Sequence, residues 1–402
     1  MSHTKYVVLD TSLWAQDDNL EVTLGPVRKA AENPLFAEER PWEVRFDNLY
    51  ANVVFDEADR LFKCWYSPFI VDEVTTRTPV GQRAAGTYRS KGREMGLCYA
   101  TFADGIHWEK PDLGLLEFQG STRNNLVMRH VHGVGVNWDR RDPDPSRRYK
   151  AFLKGGVATS PDGLRWSEIR LCPEIKAVWD THNNLWWDER RGRYVGMTRL
   201  WDGRERIVGR TESPDFGTWT QAVEVLRALP EEPARQTYTL IVFPYAHLYL
   251  GLVMMFNTET DLVDCELAWS SDTVQWERVC PGKALIPRGP EGSFDWGCIY
   301  GAAYPFLKDG RLYLYYGGSD GPHTDWRSGF LGLPTLRPDG FAGVTPVDKT
   351  QTARLVTQPV RCTGRQLCLS ADAEGGVIRA AVADVNGLSL AECTPIQTNG
   401  TD

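Results

Sequence analysis

The sequence predicts an all-β chain, a five-bladed β-propeller followed by a small C-terminal β module, and three observations predict it. A short turn motif recurs at nearly even spacing, an aromatic strand accompanies each copy, and no long helical periodicity competes with the strand pattern.

The motif appears as Ala103-Asp104-Gly105-Ile106-His107-Trp108, Ser160-Pro161-Asp162-Gly163-Leu164-Arg165-Trp166, Ser213-Pro214-Asp215-Phe216-Gly217-Thr218-Trp219 and Ser270-Ser271-Asp272-Thr273-Val274-Gln275-Trp276. A worn copy is Pro338-Asp339-Gly340-Phe341, and the Asp positions step by 58, 53, 57 and 67 residues. Asp and Gly suit a tight turn, and the Trp anchors the returning strand. One such motif is a generic hairpin; four at even spacing point to blades.

An aromatic strand precedes each copy: 62–66, 149–152, 194–197, 249–252 and 312–316. A further apolar strand precedes each of these, at 49–55, 134–138, 184–187, 238–243 and 299–306. The repeat is therefore four strands with the Asp-Gly-Trp turn between the third and fourth. Five repeats fill 45–345. Residues 1–44 read as a strand plus a wrapping segment, and 346–402 as an appended β module that lacks the repeat.

Composition bounds the function. The chain has 402 residues, 24% of them charged and 42% hydrophobic, which is an ordinary globular balance. The 53 acidic residues exceed the 45 basic ones, without runs, and a phosphate-backbone partner requires clustered Lys and Arg. Nucleic acid is therefore not expected. No apolar run approaches the roughly 20 residues that span a bilayer, so no membrane partner is expected. The opening MSHTKYVVL lacks a basic, then long apolar, leader pattern, and the nine Cys are scattered without a C-x-x-C pair. Both features lead to an expectation of a cytoplasmic protein with free buried thiols and neither metal nor cofactor. Nothing in the residue pattern sets an oligomeric state.

Antiparallel connectivity sends the Asp-Gly-Trp turns to one face and the starts of the first strands to the other. The turns are read as structural. The opposite, front face collects Asp47, His132, Asp180 with His182, Arg235 with Gln236, and Asp295 with Trp296, one group per repeat. Long front loops add Trp201, Glu259, Asp320 and His323, and a 67–95 insertion carries Asp72, Glu73 and Arg77. Carboxylates beside Trp, Arg and His are what glycoside cleavage requires: one acid protonates the leaving oxygen, and another activates water or attacks the sugar. Asp47, Asp180, Asp295 and Glu259 are the catalytic candidates, with Glu259 as a possible general acid. His132, His182, Trp201, Arg235, Gln236, Trp296, Asp320 and His323 are the candidates for binding a small carbohydrate. Crowding of Asp47, Asp180 and Asp295 is expected to raise at least one carboxyl above its ordinary value. No His, Cys or acid spacing matches a zinc site.

With Asn33-Pro34-Leu35, Leu97-Cys98-Tyr99-Ala100, Asp180-Thr181-His182-Asn183 and the repeated turn in view, the chain resembles five-bladed propeller glycoside hydrolases of the invertase-like and arabinanase-like group. Tyr315-Tyr316-Gly317-Gly318-Ser319-Asp320 is similar to the propeller glycoside phosphorylases. The resemblance spans about residues 30–345. It implies a base or nucleophile in the first blade, a transition-state stabiliser in a middle blade and a general acid beyond. Asp47 and Asp180 match the first two by position, and the third remains open. The invertase Trp-Met-Asn-Asp-Pro opening is absent, and Asp142-Pro143, which resembles another invertase motif, falls at a back-face turn. Two other readings stand beside hydrolysis: a sugar-binding propeller without catalysis, and a phosphorylase with Arg199, Arg204, Arg235 and His323 as phosphate ligands. A sialidase requires six blades and three central Arg, where this chain carries acids.

Overall fold

A computed structural model describes residues 5–83, 85–361, 368–373, 375–383 and 396–398. The chain divides into two compact units, one of residues 24–341 and one of 1–23 with 342–402. The larger unit is an all-β propeller. The α-helices among the described residues are two short ones, Glu73–Arg77 and Val80–Arg83, both inside the 67–95 insertion.

Three repeats form separate four-stranded antiparallel sheets. The first is Asn52–Asp56, Leu61–Tyr66, Leu97–Phe102 and Leu126–Met128; the second is Gly135–Trp138, Tyr149–Leu153, Gly156–Ser160 and Arg170–Leu171. The third is Asn184–Asp188, Arg193–Trp201, Arg206–Ser213 and Val223–Leu226. The fourth repeat, from Arg235–Tyr245 to Glu277–Val279, is continuous with strands of the fifth. A parallel bridge between Val263 and Cys298 joins them into one eight-stranded sheet. The expected five separate blades are thus corrected to four, three separate sheets and one in which the fourth and fifth repeats are fused.

The fifth repeat also breaks along its length. Cys298–Gly301, Tyr316–Ser319 and Gly329–Gly332 stay in the fused sheet, while Phe306–Lys308, Arg311–Tyr313 and Pro334–Leu336 form a second one. Pro305 and Pro334 bring no N–H to the ladder, which favours the interruption. The outermost strands of these two sheets are Phe36–Ala37 and Arg28–Lys29, from the opening segment.

The turn motif behaves identically in its four good copies. Asp104, Asp162, Asp215 and Asp272 each accept, through Oδ1, the N–H groups of residues two and three positions on. The residue after each Asp has positive φ, from 62° to 80°. Gly105 and Gly163 adopt this freely, while Phe216 and Thr273 are held there by the same turn. In the worn copy Asp339 itself has positive φ, so its register differs.

Apolar faces of neighbouring sheets supply the core. Trp65, Val136 and Tyr149 fill the space between the first and second sheets; Phe152, Leu185 and Trp219 fill that between the second and third. Trp186, Leu240 and Tyr249 do so between the third and fourth, and Phe46, Phe62, Tyr315 and Leu331 between the first and fifth repeats. Near the axis, asparagines stitch adjacent first strands. Asn52 donates to Val134 O at 2.8 Å and accepts from Val136 N at 3.0 Å, and Asn184 accepts from Val242 N at 2.8 Å. These bonds satisfy inner-strand groups that water does not reach.

In the smaller unit Trp14–Asp18 pairs with Arg354–Thr357, and Ile378–Ala380 with Ile396–Thr398. Cys64, Cys98, Cys172, Cys265, Cys298 and Cys368 are free thiols, and Cys362 and Cys393 lie outside the described residues. Among the described residues no helix is long and apolar enough to cross a membrane, and no cluster of three or more His, Cys, Asp or Glu is arranged to hold a metal.

Candidate functional site

The first strands begin at the front face, and contacts there run across all five repeats. Asn48 is the hub. Its Nδ2 donates to the Tyr50 hydroxyl at 2.7 Å and the Tyr238 hydroxyl at 2.8 Å, and its Oδ1 accepts from Arg327 Nη2 at 2.9 Å. The Tyr50 ring lies against His132 and His182, and the Tyr238 ring against Tyr300 and His323.

Asp47 sits at a positive-φ position, 55°, in the turn that enters the first strand. It accepts from Arg327 Nη2 at 2.7 Å and lies 3.7 Å from Arg45 Nε. Burial pushes its carboxyl up, but Arg327 and then Arg45 overcome this and hold it at about 2. Asp180 enters from the third repeat, with its side chain 55% exposed. Arg199 Nη1 donates to it at 3.1 Å, and His132 Nε2 lies 2.9 Å away, out of hydrogen-bond alignment. The close His132 ring first, and then the Arg199 charge, hold the Asp180 carboxyl well below its ordinary value against burial. The expected rise by carboxylate crowding is therefore corrected. Each acid faces arginine rather than another acid.

Asp295 is 2% exposed and engaged elsewhere. Lys29 Nζ donates to it at 2.5 Å and the Tyr316 hydroxyl at 2.6 Å, so the opening segment anchors it. No contact joins it to Asp47 or Asp180 among the described residues. Glu259 is exposed on a turn in which Asn257 Oδ1 accepts its backbone N–H, and its carboxylate has no partner among the described residues. Arg235 is consumed by Glu266 at 2.5 Å and Glu232 at 3.5 Å. Gln236 accepts from Arg206 Nη1 at 2.7 Å, Trp201 is exposed, and the Trp296 carbonyl accepts from Arg288. His182 is buried, Nε2 at 3.0 Å from Asn52 Oδ1, and burial lowers it to about 3. Asp320 accepts from Ser328 N at 2.6 Å, and burial raises its carboxyl.

Five neighbours escape the sequence reading: Arg327, Tyr238, Tyr300, Arg206 and Glu38. Glu38 Oε1 accepts from Phe46 N at 2.7 Å and Gly329 N at 3.1 Å, beside the Asp47 turn. Burial raises it to about 7, outweighing those two bonds and Arg45. The 67–95 insertion folds over this side. Asp72 caps its helix and accepts from the Tyr88 hydroxyl, and Tyr88 stacks on Arg45 at 3.9 Å and meets Trp326 at 5.1 Å. Two surface clefts lie away from the cluster, one at Arg147, Glu168 and Asp215, the other at Arg227, Trp276 and Arg278.

No protein-family model and no curated protein matches this chain. Solved structures do. One is the α-L-arabinofuranosidase of Podospora anserina in complex with cellotriose, at a TM-score of 0.52 and 13% identity over 77% of this chain and 97% of that one. Another is the β-1,2-mannobiose phosphorylase of Listeria innocua, at 0.51 and 13% over 77% and 96%. At such identity the likeness carries the architecture, and the chain shares the all-β propeller fold of these carbohydrate-active enzymes.

Proposed function

We propose that this chain hydrolyses the glycosidic bond of a small oligosaccharide or glycoside at the Asp47–Asp180 cluster. The observation that carries the reading is the pair of solvent-reached carboxylates, Asp47 held ionised by Arg327 and Asp180 by His132 and then Arg199, on either side of one chain of contacts through Asn48, Tyr238 and Arg199. A base or nucleophile must be ionised, and Asp47 takes that role. Asp180 stabilises positive charge developing on the sugar ring in the oxocarbenium-like transition state. Proton delivery to the leaving oxygen requires a carboxyl that retains its proton near neutral pH, and Glu38 has that property. The fold neighbours act on carbohydrates, which supports the substrate class.

The test is turnover of an aryl glycoside panel, furanosides included, by wild type, Asp47→Asn, Asp180→Asn and Asp162→Asn. Each front-face variant is expected to lose about 10²–10⁴-fold in kcat. Asp162 accepts Leu164 N and Arg165 N in a back-face turn, so its variant is expected to keep kcat and lose about 1 kcal/mol of stability. Full activity in Asp47→Asn moves the protein to the sugar-binding reading.

A further inference from the structure

Around Tyr238 the charges do not balance. Arg199 lies 4.2 Å and Arg206 5.6 Å from the centre of its ring, with the His323 ring 4.8 Å away. Asp180 is the carboxylate within ion-pair reach of this pair, and it bonds Arg199. Arg206 has Gln236 as its hydrogen-bond partner and no carboxylate within 4 Å among the described residues. It is half-buried, held between the Tyr238 ring and the Phe256 ring at 4.9 Å. Burial, and next the charge of Arg199, disfavour its protonated form, and Tyr238 and Asp180 offset them in part. Arg199 Nε is buried without a hydrogen-bond partner among the described residues.

A third donor follows from the bonding at Tyr300. Its hydroxyl accepts from Arg327 Nη1 at 2.9 Å and lies 2.7 Å from His323 Nδ1, an arrangement that suits donation of the phenol proton to that nitrogen. Burial first, and then Arg327, hold this imidazole well below its ordinary value, which favours the neutral form. Its remaining proton is then on Nε2, a donor with no partner among the described residues. Two guanidinium groups and a neutral imidazole around one phenol ring match the oxygens of an anion.

We propose that Arg199, Arg206 and His323 form an oxyanion subsite. Its ligand is either inorganic phosphate or an acidic group carried by the sugar. The inference rests on the cleavage reading for its purpose, since the anion lies beside the carboxylates proposed to act. With phosphate as co-substrate, a phosphate oxygen bonds to the anomeric carbon as the bond from that carbon to the leaving oxygen breaks. The leaving oxygen takes the proton of Glu38, and phosphate keeps the negative charge on the sugar 1-phosphate.

Calorimetry on the full chain tests binding without turnover, so failure of the subsite and failure of the cleavage reading are separate results. Inorganic phosphate, a neutral 4-nitrophenyl glycoside and a 4-nitrophenyl glycosiduronate are titrated into wild type, Arg206→Gln and Arg206→Lys. Melting points check that each variant is folded, and the Lys variant retains the charge. A loss of phosphate binding of about 10- to 100-fold in Arg206→Gln, less in Arg206→Lys, supports the subsite with phosphate as its ligand. The same loss for the glycosiduronate alone supports it with an acidic sugar. If Arg206→Gln changes neither phosphate binding nor the preference for glycosiduronate over the neutral glycoside, the subsite is overturned.

Discussion

Arg327 donates to Asp47 at 2.7 Å from a side chain with no solvent exposure, and it is the contact that most strongly keeps this acid ionised. The same guanidinium reaches Asn48 and Tyr300, so one residue from the fifth repeat sets both the charge of Asp47 and the bonding at the hub. Removing it leaves a largely buried carboxylate with the more distant Arg45. Arg327→Gln is expected to destabilise the chain by about 3–5 kcal/mol, the usual result of breaking a buried pair. It is also expected to move the acidic limb of the pH–kcat profile upward. Urea titration and a pH–rate profile read the two effects, and an unmoved acidic limb separates Arg327 from the chemistry.

Glu38 makes the opposite kind of prediction. Its folded value is raised from 4.5 to about 7, so the folded state holds a proton that the unfolded state releases earlier. The stability it contributes is complete below about pH 4.5, falls as pH rises toward 7, and is flat above. Gln preserves the Oε1 acceptor for Phe46 N and Gly329 N. Glu38→Gln is therefore expected to flatten the decline in melting point between pH 5 and 8. If Glu38 is the proton donor, the basic limb of kcat near pH 7 disappears in the same variant. A melting profile identical to wild type rules out a titrating Glu38.

The strand order of the first four repeats was legible because it is local: Asp162 and Trp166 lie within one hairpin, and their spacing recurs; the fifth divides between two sheets and takes its outermost strands from the opening segment. Asp47 and Asp180 were legible by the same logic, as polar residues that open first strands. What joins distant parts of the chain was not. Lys29, far upstream in the opening segment, occupies Asp295 and takes it out of the carboxylate set. The bridge of Val263 to Cys298, which fuses two repeats, leaves no mark in either strand's alternation. Arg206 and Arg327 carry no mark of a site in the sequence, since only tertiary packing gives one no carboxylate and the other two repeats to connect. Glu38 lies in a segment without repeat signal, and burial by its surroundings is what gives it a proton near neutrality.

The last prediction concerns how the inner strands hold the site. Gly135 opens the first strand of the second sheet, and a Cβ there would lie 1.8 Å from the carbonyl oxygen of Asn183 and 2.9 Å from its carbon. Its φ is not in the left-handed region, so the demand for glycine is steric: two backbones pass too close for a methyl group. The neighbour is main chain, which cannot swing aside as a side chain can. Gly135→Ala must therefore separate the strands that carry His132 and Asp180 to the front face. Overpacked cores lose about 1–3 kcal/mol when side chains absorb the strain, and a backbone clash is expected to exceed that range. Gly81→Ala is the control, since it lies in the Val80–Arg83 helix with open space around its Cβ position. Alanine favours helix over glycine by about 0.8–1.0 kcal/mol, so this variant is expected to match wild type or gain slightly. Thermal melting of both, with kcat for the Gly135 variant at a temperature where it is folded, decides the matter. A Gly135→Ala protein with unchanged melting point and kcat would show that these inner strands are free to move apart.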